Sequence, residues 1–322
     1  MNLEEKIVIG CAYFKAIFLK EKKPFFVSWG LTRRCNLRCK YCNAWREAPP
    51  EMDTSQILDI IDRLSELGTR MIRFTGGEPL LRDDIGEIIC YARNSGIFVT
   101  LATNGIMLAN RISQIKKIDG ISISLDGTED VHDAIRGLGT YKSAIEALSI
   151  AKSKNIPLTL VTTLNSINLF SVDHLLHIAE MNKVRIFFQP ATKMILYDEQ
   201  PNPVYPDADQ FRAVILSLIK LKRKNKFIGN SISGLRHLYH WPEKTAINCM
   251  AGRIICRLHV DGNISSCPRF RIKDNELNII EKDIAHCFNK LYPPYCQDCW
   301  CSFFVELNLI SEFNISAIIN AI

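Results

Sequence analysis

The sequence has no run of eighteen consecutive apolar residues, so it predicts no membrane-spanning helix. Its first twenty residues mix charges into an apolar stretch and lack a small-residue cleavage site, so no secretory signal is expected. Only 16 Gly and 13 Pro occur among 322 residues, and 47% of the residues are hydrophobic, which excludes a collagen-like or disordered chain. We therefore expect a cytoplasmic protein with a sizeable core, built as one large domain with an appendage or as two domains.

A large excess of one charge sign is also missing, because the formal net charge is +6. The basic residues are scattered apart from short runs at 20–23 and 220–226, which are typical of solvated helix faces, so no stable nucleic-acid partner is expected. The segments 9–19 and 303–322 are apolar. Packing against the rest of the chain is favoured for both, and association with a membrane or a lipid substrate is the alternative.

Cysteine, in contrast, is abundant, with twelve residues in the chain. In a small secreted protein this number would indicate a disulfide framework. In a chain of this length without an export signal, clustered cysteines more often hold metal.

Between residues 25 and 225, short apolar segments alternate with longer helical patterns. The predicted strands are Phe25–Leu31, Met71–Thr75, Phe98–Thr103, Gly120–Leu125, Leu158–Thr163 and Val184–Gln189. The predicted helices are Thr54–Leu67, Asp84–Asn94, Leu108–Lys116, Tyr141–Lys154, Ser171–Met181 and Asp207–Lys224. Six such units predict an α/β fold with a parallel sheet, either an open doubly wound sheet or a complete or partial barrel. In each case the chemistry is expected at the carboxyl ends of the strands.

The texture of the sequence changes near residue 225. Residues 226–322 contain seven of the cysteines and show no clear strand–helix alternation. We therefore predict three parts: an N-terminal extension at 1–24, the α/β domain at 25–225, and a smaller cysteine-rich module at 226–322.

Three cysteines, Cys35, Cys39 and Cys42, lie within eight residues directly after the first predicted strand. Closely spaced thiolates bind iron–sulfur clusters or zinc. Three of them can hold three corners of a four-iron cluster and leave the fourth iron open to another ligand. A zinc site would need a fourth protein ligand, and a disulfide is the remaining alternative.

The pattern CxxxCxxC, with the aromatic Tyr41 before its last cysteine, resembles the radical S-adenosylmethionine (SAM) superfamily. The resemblance covers about residues 25–225 and implies a partial (β/α)6 barrel of the TIM type. It further implies that Cys35, Cys39 and Cys42 are the catalytic ligands of a [4Fe-4S] cluster whose open iron binds SAM. Reductive cleavage of SAM would then give methionine and a 5′-deoxyadenosyl radical.

Further motifs of the superfamily follow at the ends of the next strands. By resemblance, Gly76, Gly77 and Glu78 contact the SAM amino group, although an ordinary glycine turn is the alternative. The other residues that the resemblance assigns to SAM are Thr103 and Asn104 near the ribose and methionine, Ser124 with Arg136 at the carboxylate, Tyr41 near the adenine, and Gln189 as a weaker candidate. For Arg136 the alternative is a surface salt bridge, and for Tyr41 it is simple packing.

A second group of cysteines lies in the C-terminal region. Residues 257–260 and 264–267 predict a β-hairpin around Asp261-Gly262-Asn263, which brings Cys249 and Cys267 near a later CxxC formed by Cys296 and Cys299. The region resembles the SPASM extension or its shortened twitch form, which implies one auxiliary [4Fe-4S] cluster. Structural zinc is the alternative, and the alternate ligands are Cys256, Cys287 and Cys301.

These features predict a radical SAM enzyme that takes hydrogen from a peptide, a small metabolite or a lipid precursor, with flavodoxin or ferredoxin as the reducing partner. Glu306 either faces the active site or caps a helix. The rival functions are a non-enzymatic zinc, iron–sulfur or nucleic-acid-binding module, and an electron-transfer protein. Neither would need the glycine motif or the Ser124–Arg136 pair.

Overall fold

The computed structural model describes residues 3–46, 49–196, 198, 200–267, 277–292 and 299–321. Its strands are β1 Phe26–Thr32, β2 Met71–Gly76, β3 Phe98–Thr103, β4 Gly120–Ser124, β5 Leu158–Leu164, β6 Arg185–Pro190, β7 Ile255–Leu258 and β8 Ile264–Ser265. Its helices are α1 Leu3–Phe18, α2 Thr54–Glu66, α3 Ile85–Asn94, α4 Leu108–Arg111, α5 Glu129–Arg136, α6 Thr140–Ser153, α7 Val172–Asn182, α8 Ala208–Lys222, α9 Ile232–Tyr239, α10 Ile284–Lys290, α11 Ser302–Ser311 and α12 Ile315–Ala321.

The strands form one sheet in the order β6-β5-β4-β3-β2-β1-β7-β8. Neighbouring strands from β6 through β7 pair in parallel, and β8 pairs antiparallel with β7. The six predicted strands all form in the predicted order. Their sequential parallel pairing confirms the partial (β/α)6 barrel, with β6 at one edge of the sheet.

Alternating burial along the strands separates two faces. In β2, Ile72 and Phe74 are fully buried, whereas the residues between and beside them are half-buried. β4 and β6 show the same alternation. The buried face packs against the helices in the main core, which includes the apolar stripe of α2 at Ile57, Ile60, Ile61 and Leu64. The other face lines the inside of the barrel.

The C-terminal region shares the barrel's sheet. The predicted hairpin forms as β7 and β8, and β7 joins β1 in the register Phe26↔Ile255 to Trp29↔Leu258. One sheet therefore contains strands from both sides of residue 225. The division into domains at that residue stays a prediction.

Helix α11 links several parts of the chain. It contacts α9, α12 and β6. Phe303 and Phe304 pack against Phe26 of β1, and the Tyr13 hydroxyl of α1 donates to the Leu307 carbonyl at 2.9 Å. The apolar end segments 9–19 and 303–322 thus contact the rest of the chain in their described parts, as the favoured interpretation predicts.

In the described part of the chain, no single helix has the length and apolarity needed to cross a membrane. The pair α11 and α12, bent by 117°, satisfies length and composition only when both helices are taken together.

Candidate active site

The three cysteines of the CxxxCxxC pattern lie in the loop after β1, and all three are half-buried. Burial raises the pKa of the Cys35 and Cys39 thiols, and it raises that of Cys42 to about 11. The Cys39 thiolate would further raise the pKa of Cys35 and of Cys42, because neighbouring anions repel each other. The thiols are therefore neutral in the metal-free chain, and binding of iron would release their protons.

The donor set of this loop fits a four-iron cluster with one open iron, because it consists of three thiols without a fourth protein ligand in the motif. Among the described residues, no group of three or more His, Cys, Asp and Glu has the closeness that a single metal ion requires. An Arg136 guanidinium nitrogen lies 3.9 Å from Cys39 Sγ and places a positive charge beside the loop. This charge favours the thiolate form that iron binds.

The glycine motif at the end of β2 packs against the start of the cysteine loop. The Gly77 amide donates to the Thr32 carbonyl at 2.7 Å, and the Glu78 amide donates to the Arg34 carbonyl at 2.8 Å. A Cβ on Gly77 would lie 2.1 Å from the Arg34 carbonyl oxygen, and Gly76 has a φ of +136°. Both positions therefore require glycine: the end of β1 lies against Gly76, and the backbone that leads into the cysteine loop lies against Gly77.

Glu78 joins this motif to the end of β3. Its buried carboxylate accepts from the Thr103 hydroxyl at 2.9 Å and from the Asn104 amide at 2.8 Å. Burial raises the pKa of Glu78 to about 7, although these hydrogen bonds oppose the shift. The Asn104 side chain donates to Asn36 Oδ1 at 2.8 Å, within the cysteine loop. Glu78, Thr103 and Asn104 are thus brought together beside the loop.

A buried ion pair lies on the other side of the cysteine loop. Arg136 Nε donates to Asp126 Oδ2 at 2.7 Å, and the Tyr41 hydroxyl donates to the same oxygen at 2.8 Å. The Arg136 guanidinium also lies 5.6 Å from the centre of the Tyr41 ring. Burial lowers the pKa of Arg136, but the combined effects of Asp126, Tyr41 and Cys39 outweigh it and raise that pKa overall. Arg136 is therefore a buried cation with a fixed partner.

Asp126 is not among the residues that the motifs select, although it directly follows the predicted fourth strand and precedes Arg136 by ten positions. A carboxylate at that place, followed by an arginine on the next helix, is the signal that was available. Ser124 lies two residues earlier in β4. It shares the inner face with Ser122, as the sequence alternation predicts, because Ile121 and Ile123 are buried on the opposite face.

A cavity of about 1150 Å³ occupies the inside of the barrel. Tyr41, Thr75 and Gln189 line it at the carboxyl ends of the strands, and Gln189 Oε1 also accepts from the Ser302 amide at 3.3 Å. Its wall reaches past the middle of the strands to Phe98 and Pro157. Tyr41 brings the cysteine loop to the wall of this cavity.

The C-terminal cysteines divide into two groups. Those that line the same cavity are Cys249, Cys267, Cys299 and Cys301. Cys256 and Cys287 are fully buried in the main core, where burial raises the pKa of both thiols. Cys296 lies outside the described residues.

Glu306 faces a helix end. Its Oε1 accepts from the Ser231 amide at 2.7 Å, and Ser231 is the N-cap residue of α9. The sequence leaves open whether Glu306 faces the active site or caps a helix, and the structure shows the helix cap.

The buried ion pair allows a direct test of stability. We expect Asp126→Asn to lower the free energy of unfolding by about 3–5 kcal/mol, because Arg136 then remains buried without its counter-charge. Urea titration followed by circular dichroism measures the loss. Asp130→Asn, an exposed carboxylate on α5, is the matched control. Adding Arg136→Met to Asp126→Asn should recover part of the loss, and no recovery would contradict the ion-pair explanation.

His132 provides a pH-dependent prediction. It accepts the Asp126 amide at Nδ1, and burial lowers the pKa of His132 from 6.5 to about 4. The unfolded chain therefore takes up a proton that the folded chain does not. The contribution of His132 to the free energy of unfolding therefore falls by about 3 kcal/mol as the pH drops from 6.5 towards 4.

In His132→Gln this loss is absent, so the gap in unfolding free energy between the wild type and the variant should narrow as the pH falls. Urea titrations at pH 7, 6, 5 and 4.5 measure the gap. The exposed His286→Gln serves as the control for replacing a histidine elsewhere in the chain. A constant gap for His132→Gln would show that the burial of His132 does not suppress its protonation.

The chain is similar to several known proteins. Residues 29–179 match the model of the radical SAM superfamily. The chain is 29% identical over 265 residues to the mycofactocin maturase MftC of Mycobacterium tuberculosis, covering 79% of this chain and 66% of MftC. It is 35% identical over 179 residues to the Fe-coproporphyrin III synthase of Methanosarcina barkeri, covering 53% and 45% of the two chains.

The fold is likewise similar to that of Streptococcus suis SuiB bound to S-adenosylmethionine, with a TM-score of 0.69 and 15% identity over 84% of this chain and 66% of SuiB. The chain thus spans about half to two thirds of the length of these proteins. Superfamily members use a [4Fe-4S] cluster and SAM, and the thiols described above suit that cluster. Residues 29–179 therefore form a radical SAM domain, and the barrel around it has the fold seen in SuiB.

Proposed function

We propose that this protein is a radical SAM enzyme that cleaves SAM reductively at the cysteine loop and removes a hydrogen atom from a substrate held in the barrel cavity. One observation carries the proposal. The loop that carries Cys35, Cys39 and Cys42 contacts the Glu78 group on one side and the Asp126–Arg136 pair on the other, and Tyr41 of the same loop lines a cavity of about 1150 Å³.

Cys35, Cys39 and Cys42 would hold the cluster through their thiolates. When bound, the cluster and SAM supply a 5′-deoxyadenosyl radical. The chain's own contribution is to bind and orient these groups and to exclude water. Glu78 is fixed by Thr103 and Asn104 and offers a carboxylate for an ammonium group, with Gly76 and Gly77 forming the floor beneath it.

Arg136 is a candidate partner for the SAM carboxylate, together with Ser124. In the described contacts its Nε is bound to Asp126, while another of its nitrogens points to Cys39 Sγ. A guanidinium carries five N–H donors, so donors remain for a ligand at the cluster. Tyr41 is held by Asp126, and Gln189 lines the cavity at its mouth. Both are positioned to contact the ligand.

We further propose one auxiliary [4Fe-4S] cluster, held by Cys249, Cys267 and Cys299 with Cys296 as the fourth ligand. The support is that the three described members line one cavity. Cys301 also lines that cavity and is the remaining alternate. Cys256 and Cys287 are buried in the apolar core and do not fit this role.

The proposal is tested by anaerobic reconstitution with iron and sulfide, followed by iron counting and a dithionite-driven assay for 5′-deoxyadenosine. About eight irons per chain with 5′-deoxyadenosine production would support both clusters. About four irons with production would support the enzyme and contradict the auxiliary cluster. Zinc alone, with no SAM cleavage, would contradict the function.

Cys39→Ala should abolish 5′-deoxyadenosine formation, because it removes a cluster ligand while changing little core volume. Cys90→Ala, a half-buried cysteine on α3, is the matched control and should retain formation. Circular dichroism verifies that both variants fold. Full SAM cleavage by folded Cys39→Ala would rule out the assignment of the catalytic cysteines.

Cys299→Ala should leave the SAM-binding cluster in place and lower the iron count by about four. Iron counting together with the Mössbauer spectrum of the reconstituted variant measures this loss. Cys11→Ala, an exposed cysteine on α1, should keep the full count. An unchanged iron count in Cys299→Ala would move the auxiliary site to other cysteines.

A further inference from the structure

Two arginines inside the barrel lie on the strands that flank β1, one on each side of it. Ser28 of β1 pairs in register with Arg73 of β2 on one side and with Arg257 of β7 on the other. All three residues line the cavity. The row lies in the middle of the strands, away from the cysteine loop at their carboxyl ends.

The guanidinium of Arg257 lies against β1. One of its terminal nitrogens donates to Ser28 Oγ at 2.9 Å, and the residue is 4% exposed. Gly30 is the next position of β1 on the same face. A Cβ there would lie 2.6 Å from the other terminal nitrogen of Arg257. Glycine at this position therefore leaves space for the guanidinium to lie against β1.

Arg73 is held differently. Its guanidinium lies 5.1 Å from the centre of the Phe303 ring, and none of the described residues forms a hydrogen bond or an ion pair with it. Burial lowers the pKa of Arg73, and the neighbouring charge of Arg257 lowers it further, against an opposing effect of Cys301. Arg73 is half-buried, and a guanidinium that faces a cavity without a counter-charge favours the binding of an anion.

The described carboxylates in the cavity wall are already engaged. Asp119 pairs with Arg93 at 3.0 Å and accepts the Val99 amide. Asp198 pairs with Arg46 at 3.4 Å and accepts from the Asn43 side chain. A bound molecule is therefore the natural source of the negative charge that faces Arg73.

Much of the remaining wall is aromatic or aliphatic. The aromatic residues that line the cavity around and beyond the arginine row are Phe26, Phe98, Phe187, Phe303, Phe304 and Trp300. Such a surface suits an apolar or aromatic body with a single polar end.

We propose that the cavity is the site of a substrate with a carboxylate group that binds Arg73 and Arg257, while its apolar body lies against the phenylalanine rings. A carboxylate presents two oxygens, one for each guanidinium. The proposal rests on the proposed function, since it identifies the substrate class of the same cavity. It places the carboxylate end deep in the barrel and the opposite end at the cysteine loop.

The test uses the iron-reconstituted full-length chain without SAM or dithionite, so it does not depend on SAM cleavage. Fluorescence titrations compare pyrene-1-butyrate with the uncharged 1-pyrenebutanol. We expect the wild type to prefer the carboxylate by about 10- to 100-fold, the usual effect of hydrogen bonds to a charged group. Arg73→Gln should remove most of that preference, and Arg73→Lys should keep part of it.

Arg236→Gln, an exposed arginine on α9, is the matched control and should keep the full preference. Equal binding of the two probes by the wild type would overturn the proposal, as would an unchanged preference in both Arg73→Gln and Arg257→Gln. A loss of C-terminal iron in Arg73→Gln, with no probe preference in the wild type, would assign the arginines to the auxiliary thiolates instead. Each of these failures, beside normal 5′-deoxyadenosine production by the wild type, would leave the proposed function intact.

Discussion

The buried carboxylate of Asp126 ties together the parts of the chain that form the active-site mouth. Its Oδ2 accepts from Arg136 of α5 and from Tyr41 of the cysteine loop, and its Oδ1 accepts the Thr163 amide of β5 at 2.9 Å. Its own amide donates to His132. A fully buried carboxylate is stable only when such donors surround it. The same hydrogen bonds that stabilise the Asp126 carboxylate therefore also fix the position of the cysteine loop.

The barrel's interior depends on a second constraint, the sharing of one sheet by distant parts of the sequence. Strand β7 adds to β1 although more than two hundred residues separate them, and α11 contacts β6 and packs Phe303 and Phe304 against Phe26. The C-terminal region thereby supplies one wall of the cavity as well as the second cysteine group. Under the proposed function, the substrate and the auxiliary cluster would therefore contact the same wall of the cavity.

The sequence predicts the six barrel strands because each is a short apolar segment between helical patterns, and it predicts α2 because Ile57, Ile60, Ile61 and Leu64 recur at helical spacing. Motif resemblance selects Glu78, Thr103 and Asn104, which the structure gathers beside the cysteine loop. The Arg73–Ser28–Arg257 row was not predictable, because register between β1 and a four-residue strand is set by tertiary pairing. Asp126 has a visible position but no local pattern that reveals its three partners.

The cations of the cavity wall and mouth are compensated in different ways, and the difference separates structure from ligand binding. Arg136 has Asp126 at 2.7 Å, so its charge is neutralised within the chain before any ligand arrives. Arg73 is half-buried and has an aromatic ring and a second guanidinium as neighbours, so its charge is left for a bound anion to compensate. A ligand that supplies this anion gains a charge-assisted interaction with Arg73 on binding. The binding energy is then concentrated at the deep end of the cavity, where it fixes the distance of the substrate's other end from the cysteine loop.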